Sequence, residues 1–456
     1  MENGDLIDLF IDRPSKKEKL DSIYAGKIRN KEESLQAYFV DIGTNKPGYL
    51  PMNHIPTIVR ENYPLSEGSY LPVQIFKEAY QDKGPRLTAN LTLSNSAIVY
   101  QPFGEKIRSS KRLAEEDAQQ WYTFFETELD RAEGIIVRSE GSNYTFEEMR
   151  SMLEPLRQQS SQIIAQINRV KRPSLLYERP LVPDQMMNRY GNYGIDRYQF
   201  DNLTDYKRMK DQYPTLSSKM EQIKTPYQIA GVTVDQWLRK LTARTITKKN
   251  GISLTIDITE ALTIIDVDTS TFRTNQRKDI AVFQANQKAV EAAVKEIRRR
   301  NLSGIILIDS LKMHREKERV AIQQQMEKLF QQDPIQTKIY GFTKLGLLEM
   351  TRKRERAGLH ALMKDEKTVF FYRLERELYE YNKQSSVEAI MLKMQPDLYE
   401  EWKSDWITRL EKWNTMSIYC MTDNAVDQVE FFRVGSEELI HDWMEENHHV
   451  TVDKVL

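Results

Sequence analysis

The chain has 456 residues, 40% hydrophobic and 29% charged, with a net charge of −1. That length exceeds one ordinary core and implies several globular domains, while a near-neutral charge excludes a uniformly basic nucleic-acid binder and leaves any such partner to local patches. One cysteine, Cys420, excludes a disulfide framework and a cysteine-only zinc site; with an acidic MENGDLIDLF start and no long apolar run, a cytoplasmic protein without a membrane segment is expected.

From Ser22 to about Ala89, short alternating segments (SIYAGKIRN, LQAYFVDIG, KPGYLPM, YLPVQIFKEAY) predict a small β-barrel of about five strands. Lys46, Pro47 and Gly48 supply a turn within it. Residues 90–187 mix strand-like pieces such as GIIVRSE with a helix over 145–170, in which Met149, Met152, Leu156, Ile163 and Ile167 recur at helical spacing. Residues 188–235 are rich in Tyr, Asn, Asp and Gln and have no clear period. From about 251 the pattern is strand, helix, strand, helix, strand: ALTIID; 278–300 with Phe283, Val290, Val294 and Ile297 on one face; GIILID; 315–332 with Val320, Met326, Leu329 and Phe330 inward; and TKIYGF. This reads as βαβ units of a parallel sheet. KLGLLEMTRKRERAGL then turns from apolar to basic, and a helix after Thr368 with a small α/β segment closes the chain.

The run LTIIDVDTST ends in Asp266 and Asp268, and GIILIDS ends in Asp309. In a parallel sheet, functional groups collect beyond the carboxyl ends of strands. If these two strands are neighbours, Asp266 and Asp309 can reach one hard cation, with Asp268 projecting to the same side. Asp at a strand end is equally well placed to form a turn or cap the next helix, and pattern leaves both readings open. No P-loop, G-x-G-x-x-G or G-x-S-x-G motif is present, and His314, His448 and His449 lack ligand spacing with the aspartates.

Basic clusters lie at 273–278 (RTNQRK), 298–300 (RRR) and 352–356 (RKRER, with Arg352 and Arg354). Cations around an acidic metal centre would draw a polyanion, though each run alone reads as a solvated face. Tyr38, Phe39 and Tyr49 near Lys46 and Lys83 offer stacking faces beside charge, or else belong to the barrel core.

Taken in order, IYAGKI, LQAYFVDIG, GYLP, GIIVRSEG, TEALTIIDVD, RNLSGIILID and LGLLEMTRKR resemble the ribonuclease E/G family of bacterial endoribonucleases, over about residues 5–380. The resemblance implies a multidomain α/β (α+β) chain: an RNase H-like fold (1–19 and 188–250) with an inserted S1 barrel of the OB-fold type (20–89) and a 5′-sensor domain (90–187), then a DNase I-like catalytic domain (251–365) and a small C-terminal α/β domain (366–456). It implies Mg²⁺, with Mn²⁺ as an alternative, held by the catalytic Asp266 and Asp309; Asp268, from its place on the same side, is a further candidate ligand, directly or through water. It also implies a 5′-phosphate pocket at Arg138 and Ser139, an RNA track at Phe39, Tyr49 and Lys83, and single-stranded RNA, rRNA precursor or mRNA, as substrate; the charge of the 352–356 run makes Arg352 and Arg354 further candidate RNA contacts.

The chain departs from the family pattern at several positions. Asp268 stands where the family has Asn, Lys312 and Lys288 stand where acidic residues are typical, and the zinc-linking C-x-x-C is missing. No structural zinc and no zinc-linked tetramer are therefore expected, and a homodimer stays compatible with the resemblance. Lys288, Lys312 and Asp268 leave a second reading open, an RNA-binding protein on the same scaffold with weak or lost catalysis.

Overall fold

The computed structural model describes residues 5–13, 20–79, 83–95, 97–110, 113–167, 169–179, 182–190, 194–223, 228–229, 231–248, 251–269, 278–331, 333–411 and 413–456. Two compact units divide the chain, Met1–Gly358 and Leu359–Leu456. The basic run 273–277 and the side chain of Ser139 lie outside the described residues.

The first unit begins with the expected barrel. Strands β1 (Ile23–Glu32), β2 (Ala37–Asp41), β3 (Gly48–Pro51), β4 (Tyr70–Lys77) and β5 (Arg86–Thr88) run in the order 1-2-3-5-4, and β4 pairs back onto β1 to close the ring. Inward-facing Tyr24, Ile28, Val40, Leu50, Leu71, Val73, Ile75 and Leu87 fill it, while Ile23, Pro72 and Gln74, on the opposite face of β1 and β4, are buried as well. At Gly26 an added Cβ would lie 2.5 Å from Val40 Cγ1, so glycine is what lets the strands close tightly there. Helix α1 (Thr57–Asn62) lies between β3 and β4.

Residues 90–190 carry β6 (Leu93–Ser94), β7 (Ile98–Gln101), β8 (Ile107–Ser109), α2 (Glu115–Glu128), β9 (Gly134–Val137), α3 (Phe146–Ile167), β10 (Ser174–Tyr177) and α4 (Val182–Tyr190). β6, β7, β9 and β8 form one sheet, whereas β10 leaves it and pairs with β1 of the barrel. Helix α3 buries Met149, Leu153, Leu156, Ile163 and Ile167, close to the predicted stripe. Its first turn is closed by Thr145 and Glu148: the Thr145 amide donates to the Glu148 carboxylate at 2.7 Å and the Glu148 amide to Thr145 Oγ1 at 3.3 Å.

The stretch without a clear period contains β11 (Tyr198–Phe200), α5 (Leu203–Gln212), β12 (Met220–Gln222), β13 (Gln228–Ile229), β14 (Val232–Thr233) and α6 (Val234–Thr242). Among the described residues these strands form only two-stranded sheets, and no sheet joins 5–13 to 188–250. Side chains also hold the N-terminal segment. Tyr190 donates to Asp8 at 2.6 Å, and the Arg356 guanidinium lies 3.9 Å over the Phe10 ring.

The remaining sheet of this unit comprises β15 (Thr245–Thr247), β16 (Ser253–Ile258), β17 (Leu262–Asp268), β18 (Gly304–Asp309), β19 (Thr337–Phe342) and β20 (Leu347–Arg352), ordered 15-16-17-18-20-19. It is mixed rather than parallel. Only β17 and β18 run parallel, joined by α7 (Lys278–Arg299); α8 (Glu316–Phe330) precedes β19. The hairpins at 259–261 and 343–346 are too short for the crossover that a parallel pair requires. β15 lies in the span assigned by resemblance to the RNase H-like fold, yet it is the edge of this sheet.

One face of the sheet is covered by α7 and α8, through Ala289, Val290, Val294, Ile297, Ile322 and Met326 against Ile265, Ile306, Ile308 and Leu348. Val320, expected inward, is 43% exposed, because the buried stripe of α8 follows Ile322, Met326 and Phe330 at four-residue spacing.

Arg298, Arg299 and Arg300 are buried, so the RRR run is neither a solvated face nor an RNA contact. Arg299 and Arg300 reach Glu296 at 3.1 and 3.0 Å, joined by Lys248 at 2.9 Å, while Arg298 pairs with Asp8. Burial opposes ionisation of Glu296, but Lys248, Arg300 and Arg299 overcome it and hold its carboxyl below the usual value of 4.5.

The second unit contains α9 (Leu359–Met363), α10 (Glu366–Asn382), β21 (Ala389–Met394), α11 (Pro396–Asp405), α12 (Ile407–Leu410), β22 (Ser417–Thr422), β23 (Val429–Gly435), α13 (Glu437–Glu446) and β24 (Asp453–Lys454). Its sheet runs 23-21-22-24 and packs on Phe371, Leu374, Leu378, Trp402 and Trp406. Cys420 sits in this core, where burial pushes its thiol up to about 12, so it is an inert packing residue.

Candidate active site and nucleic-acid surfaces

β17 alternates strictly: Thr263, Ile265 and Val267 are buried against the helices, and Ile264, Asp266 and Asp268 are exposed on the opposite face. β18 does the same, with Ile306 and Ile308 inward and Asp309 outward. Asp266 and Asp309 are direct register partners in the parallel pair, which sets their backbones about 4.8 Å apart. Across the open face the row reads Thr245, Thr255, Asp266, Asp309, Leu347. Asp268 lies one row further out, opposite Ser253, about 7 Å along the strand from Asp266.

The donor set is two adjacent exposed carboxylates with a third at the rim and hydroxyls alongside. Among the described residues no three His, Cys, Asp or Glu side chains close into a metal-holding cluster. Hard oxygen donors in an open, incomplete set suit an ion such as Mg²⁺, which keeps several waters and leaves room for substrate phosphate, and do not suit zinc.

The segment that follows Asp309 is fixed by a residue that sequence reasoning passed over. Asn286 of α7, wholly buried, donates from Nδ2 to the Leu311 carbonyl at 2.8 Å and accepts from the Leu311 amide at 3.0 Å. A polar residue on the apolar stripe of α7, between Phe283 and Val290, was the available signal.

The two lysines that depart from the family pattern differ in placement. Lys288 is on the exposed side of α7, and α7 covers the face of the sheet opposite the aspartates. Lys312 is exposed in the loop after Asp309. Lys344 and Leu345, 88% exposed, occupy the β19–β20 turn at the same end of the sheet, since Leu347 pairs with Asp309.

The run 352–356 does not ring the aspartates. β20 is antiparallel to β18, so Arg352 stands opposite Gly304, five residues from Asp309, or about 17 Å along the strand. Arg352 is 2% exposed; it pairs with Asp333 at 2.7 Å and donates to Asn301 Oδ1 and the Leu302 carbonyl. Its expected role as an RNA contact is therefore replaced by a structural one. A guanidinium with five donors can satisfy a buried carboxylate and two further acceptors at once. Arg354 remains exposed beside Ser303, at that same distant end.

On the barrel, Phe39 and Tyr49 are register partners with ring centroids 6.0 Å apart, edge to face. Tyr49 is in turn opposite Arg86, whose guanidinium lies 5.9 Å from the Tyr49 ring. Lys83 is exposed in the segment leading into β5. Arg86 went unnoticed in sequence because KGPRL reads as a turn.

Arg138 follows β9. Its amide donates to the Ala97 carbonyl at 2.8 Å, and its carbonyl accepts from Gly141 at 2.9 Å, forming the tight turn before α3. An added Cβ at Gly141 would run into Val137 and press on Met149. Burial, and after it the charge of Asp184, raises the hydroxyl pKa of Tyr213, with the Arg138 charge acting against that rise.

Among the described residues no helix is long and apolar enough to cross a membrane. The ribonuclease E/G family model matches residues 92–355, more than half of the chain. Ribonuclease G of Haemophilus influenzae is 28% identical over 386 residues, covering 80% of this chain and 79% of that protein. Ribonuclease G of Escherichia coli K12 is 27% identical over the same span, and ribonuclease E of Buchnera aphidicola from Schizaphis graminum is 29% identical over 379 residues, 38% of its own length. With that match laid over the acidic pair, the chain belongs to the ribonuclease E/G family of endoribonucleases.

Proposed function

We propose that this endoribonuclease depends on Mg²⁺, cuts single-stranded RNA and favours 5′-monophosphorylated substrates during processing or decay of rRNA precursors and mRNA. The observation that carries the reading is the Asp266–Asp309 register pair on the uncovered face of the β15–β20 sheet. Asp266 and Asp309 would hold the ion, with Asp268 reached through water at the rim. A bound Mg²⁺ supplies a water of lowered pKa and offsets charge developing on the phosphoryl oxygens.

The protein's own groups position the substrate. Phe39 and Tyr49 present ring surfaces for bases, and Lys83 takes backbone phosphate, in a barrel we read as an S1 domain of the OB-fold type. Arg138, with Ser139, grips a terminal phosphate through charge-assisted hydrogen bonds. The region 90–187 would then be the 5′ sensor, and the β15–β20 sheet the DNase I-like catalytic domain.

The second reading, RNA binding without efficient turnover, is favoured by Lys312, exposed three residues after Asp309. Lys288 no longer supports it, since the sheet separates that residue from the aspartates. Incubating the protein with 5′-monophosphorylated RNA and Mg²⁺ decides between them: metal-dependent cleavage supports the enzyme, and RNA binding with no turnover supports the scaffold.

A further inference from the structure

β4 carries a bulge near its end, so that Lys77 pairs with Arg86 while both Phe76 and Lys77 turn outward. Phe76 is 39% exposed, a position where burial does not account for a large aromatic. Its ring centroid lies 5.2 Å from that of His54, edge to face at 66°. The geometry repeats that of Phe39 and Tyr49, at 6.0 Å and 67°. Arg86 sits between the two pairs, since it is opposite Tyr49 on β3 and opposite Lys77 on β4.

An edge-to-face pair leaves a ring face open, and every nucleobase can stack on such a face. The charges around the second pair complement a polyanion. Among the described residues neither Arg86 nor Lys77 is in an ion pair, and the buried Nε of Arg86 has no hydrogen-bond partner. Burial, together with Arg86 and Lys77, holds the His54 imidazole below its usual value of 6.5. At neutral pH it is therefore an uncharged aromatic ring.

We propose that His54 and Phe76 form a second base-stacking step on the outer surface of the barrel, continuing the Phe39–Tyr49 step along one RNA strand, with Arg86 between them taking the intervening phosphate. This rests on the reading of the barrel as an RNA-binding surface. It adds at least one nucleotide to the track and gives bulged β4 and the β3–α1 turn a direct part in binding.

The test measures affinity of the full chain for a fluorescein-labelled 12-nucleotide oligoadenylate by anisotropy, without divalent metal so that no cleavage intervenes. Phe76→Ala and His54→Ala should each weaken binding about tenfold, and Phe76→Trp should restore it. Arg86→Ala should lower the slope of log affinity against log salt by about 0.7, the value for one phosphate on a single strand. Phe39→Ala separates the two claims. If Phe39→Ala weakens binding while Phe76→Ala and His54→Ala match the wild type, the second step is wrong and the barrel still binds RNA. If none of the three changes affinity, the barrel reading fails and the second step fails with it.

Discussion

Asn286 and Leu311 are joined by two hydrogen bonds of 2.8 and 3.0 Å, from the side chain of a buried helix residue to both backbone groups of a loop residue. That contact fixes the chain two residues beyond Asp309, and with it the direction in which the strand leaves the sheet. The pair links the covered side of the sheet to the acidic face.

Replacing Asn286 with Ala removes both partners from Leu311 and should lower stability by about 1–3 kcal/mol. Because the residue positions Asp309 rather than touching substrate, the turnover number should fall while KM for RNA stays near the wild-type value. Steady-state kinetics below the melting transition check this, and an unchanged turnover number would assign Asn286 to packing alone.

The Arg352–Asp333 pair is a second buried contact with a clear outcome. Both side chains are nearly inaccessible, at 2% and 0%. Arg352→Ala leaves a buried carboxylate uncompensated and should cost about 3–5 kcal/mol, seen as a lower Tm. RNA affinity at a temperature where the variant is folded, and its salt slope, should not change. A smaller slope would restore Arg352 to the RNA surface.

Acid should loosen the contact between α7 and the segments that precede it. The folded Glu296 carboxyl lies below 4.5, so its contribution is fully present above that value and is lost as pH falls through the folded pKa. Asp8, held below 3.8 by Arg298 and Tyr190 against the cost of burial, acts in the same direction. Denaturant midpoints between pH 7 and 3 should fall below about pH 4.5, and Glu296→Gln should flatten that dependence.

Arg138→Ala should abolish discrimination between 5′-monophosphorylated and 5′-hydroxyl RNA. The ratio of kcat/KM for the two substrates should approach one, with cleavage of the 5′-hydroxyl RNA unchanged. Lys at this position should restore part of the preference as a point charge without the bidentate fork.

Much of this architecture is legible in the sequence, for identifiable reasons. Alternation in LQAYFVDIG and YLPVQIF reports a barrel wall, and the runs ending at Asp266 and Asp309 report neighbouring strands because a helix of suitable length joins them. Strand direction elsewhere was not legible, since a run such as TKIYGF has the same composition in a parallel or an antiparallel strand. Nor does charge reveal burial. RRR and RKRER look like solvent-facing patches, yet Arg298, Arg299, Arg300 and Arg352 are inside, because Glu296, Asp8 and Asp333 come from distant or unremarked positions. Asn286 and Arg86 were missed because their partners are set only by tertiary placement.

The central claim is that Asp266 and Asp309 together hold the catalytic metal. It is tested most directly by cleavage of 5′-monophosphorylated single-stranded RNA across a Mg²⁺ titration with the wild type, Asp266→Asn and Asp309→Asn, each first shown to be folded. Metal-dependent cleavage by the wild type, with both variants reduced by at least about a hundredfold, is the predicted result. Equal cleavage by either variant and the wild type would contradict it.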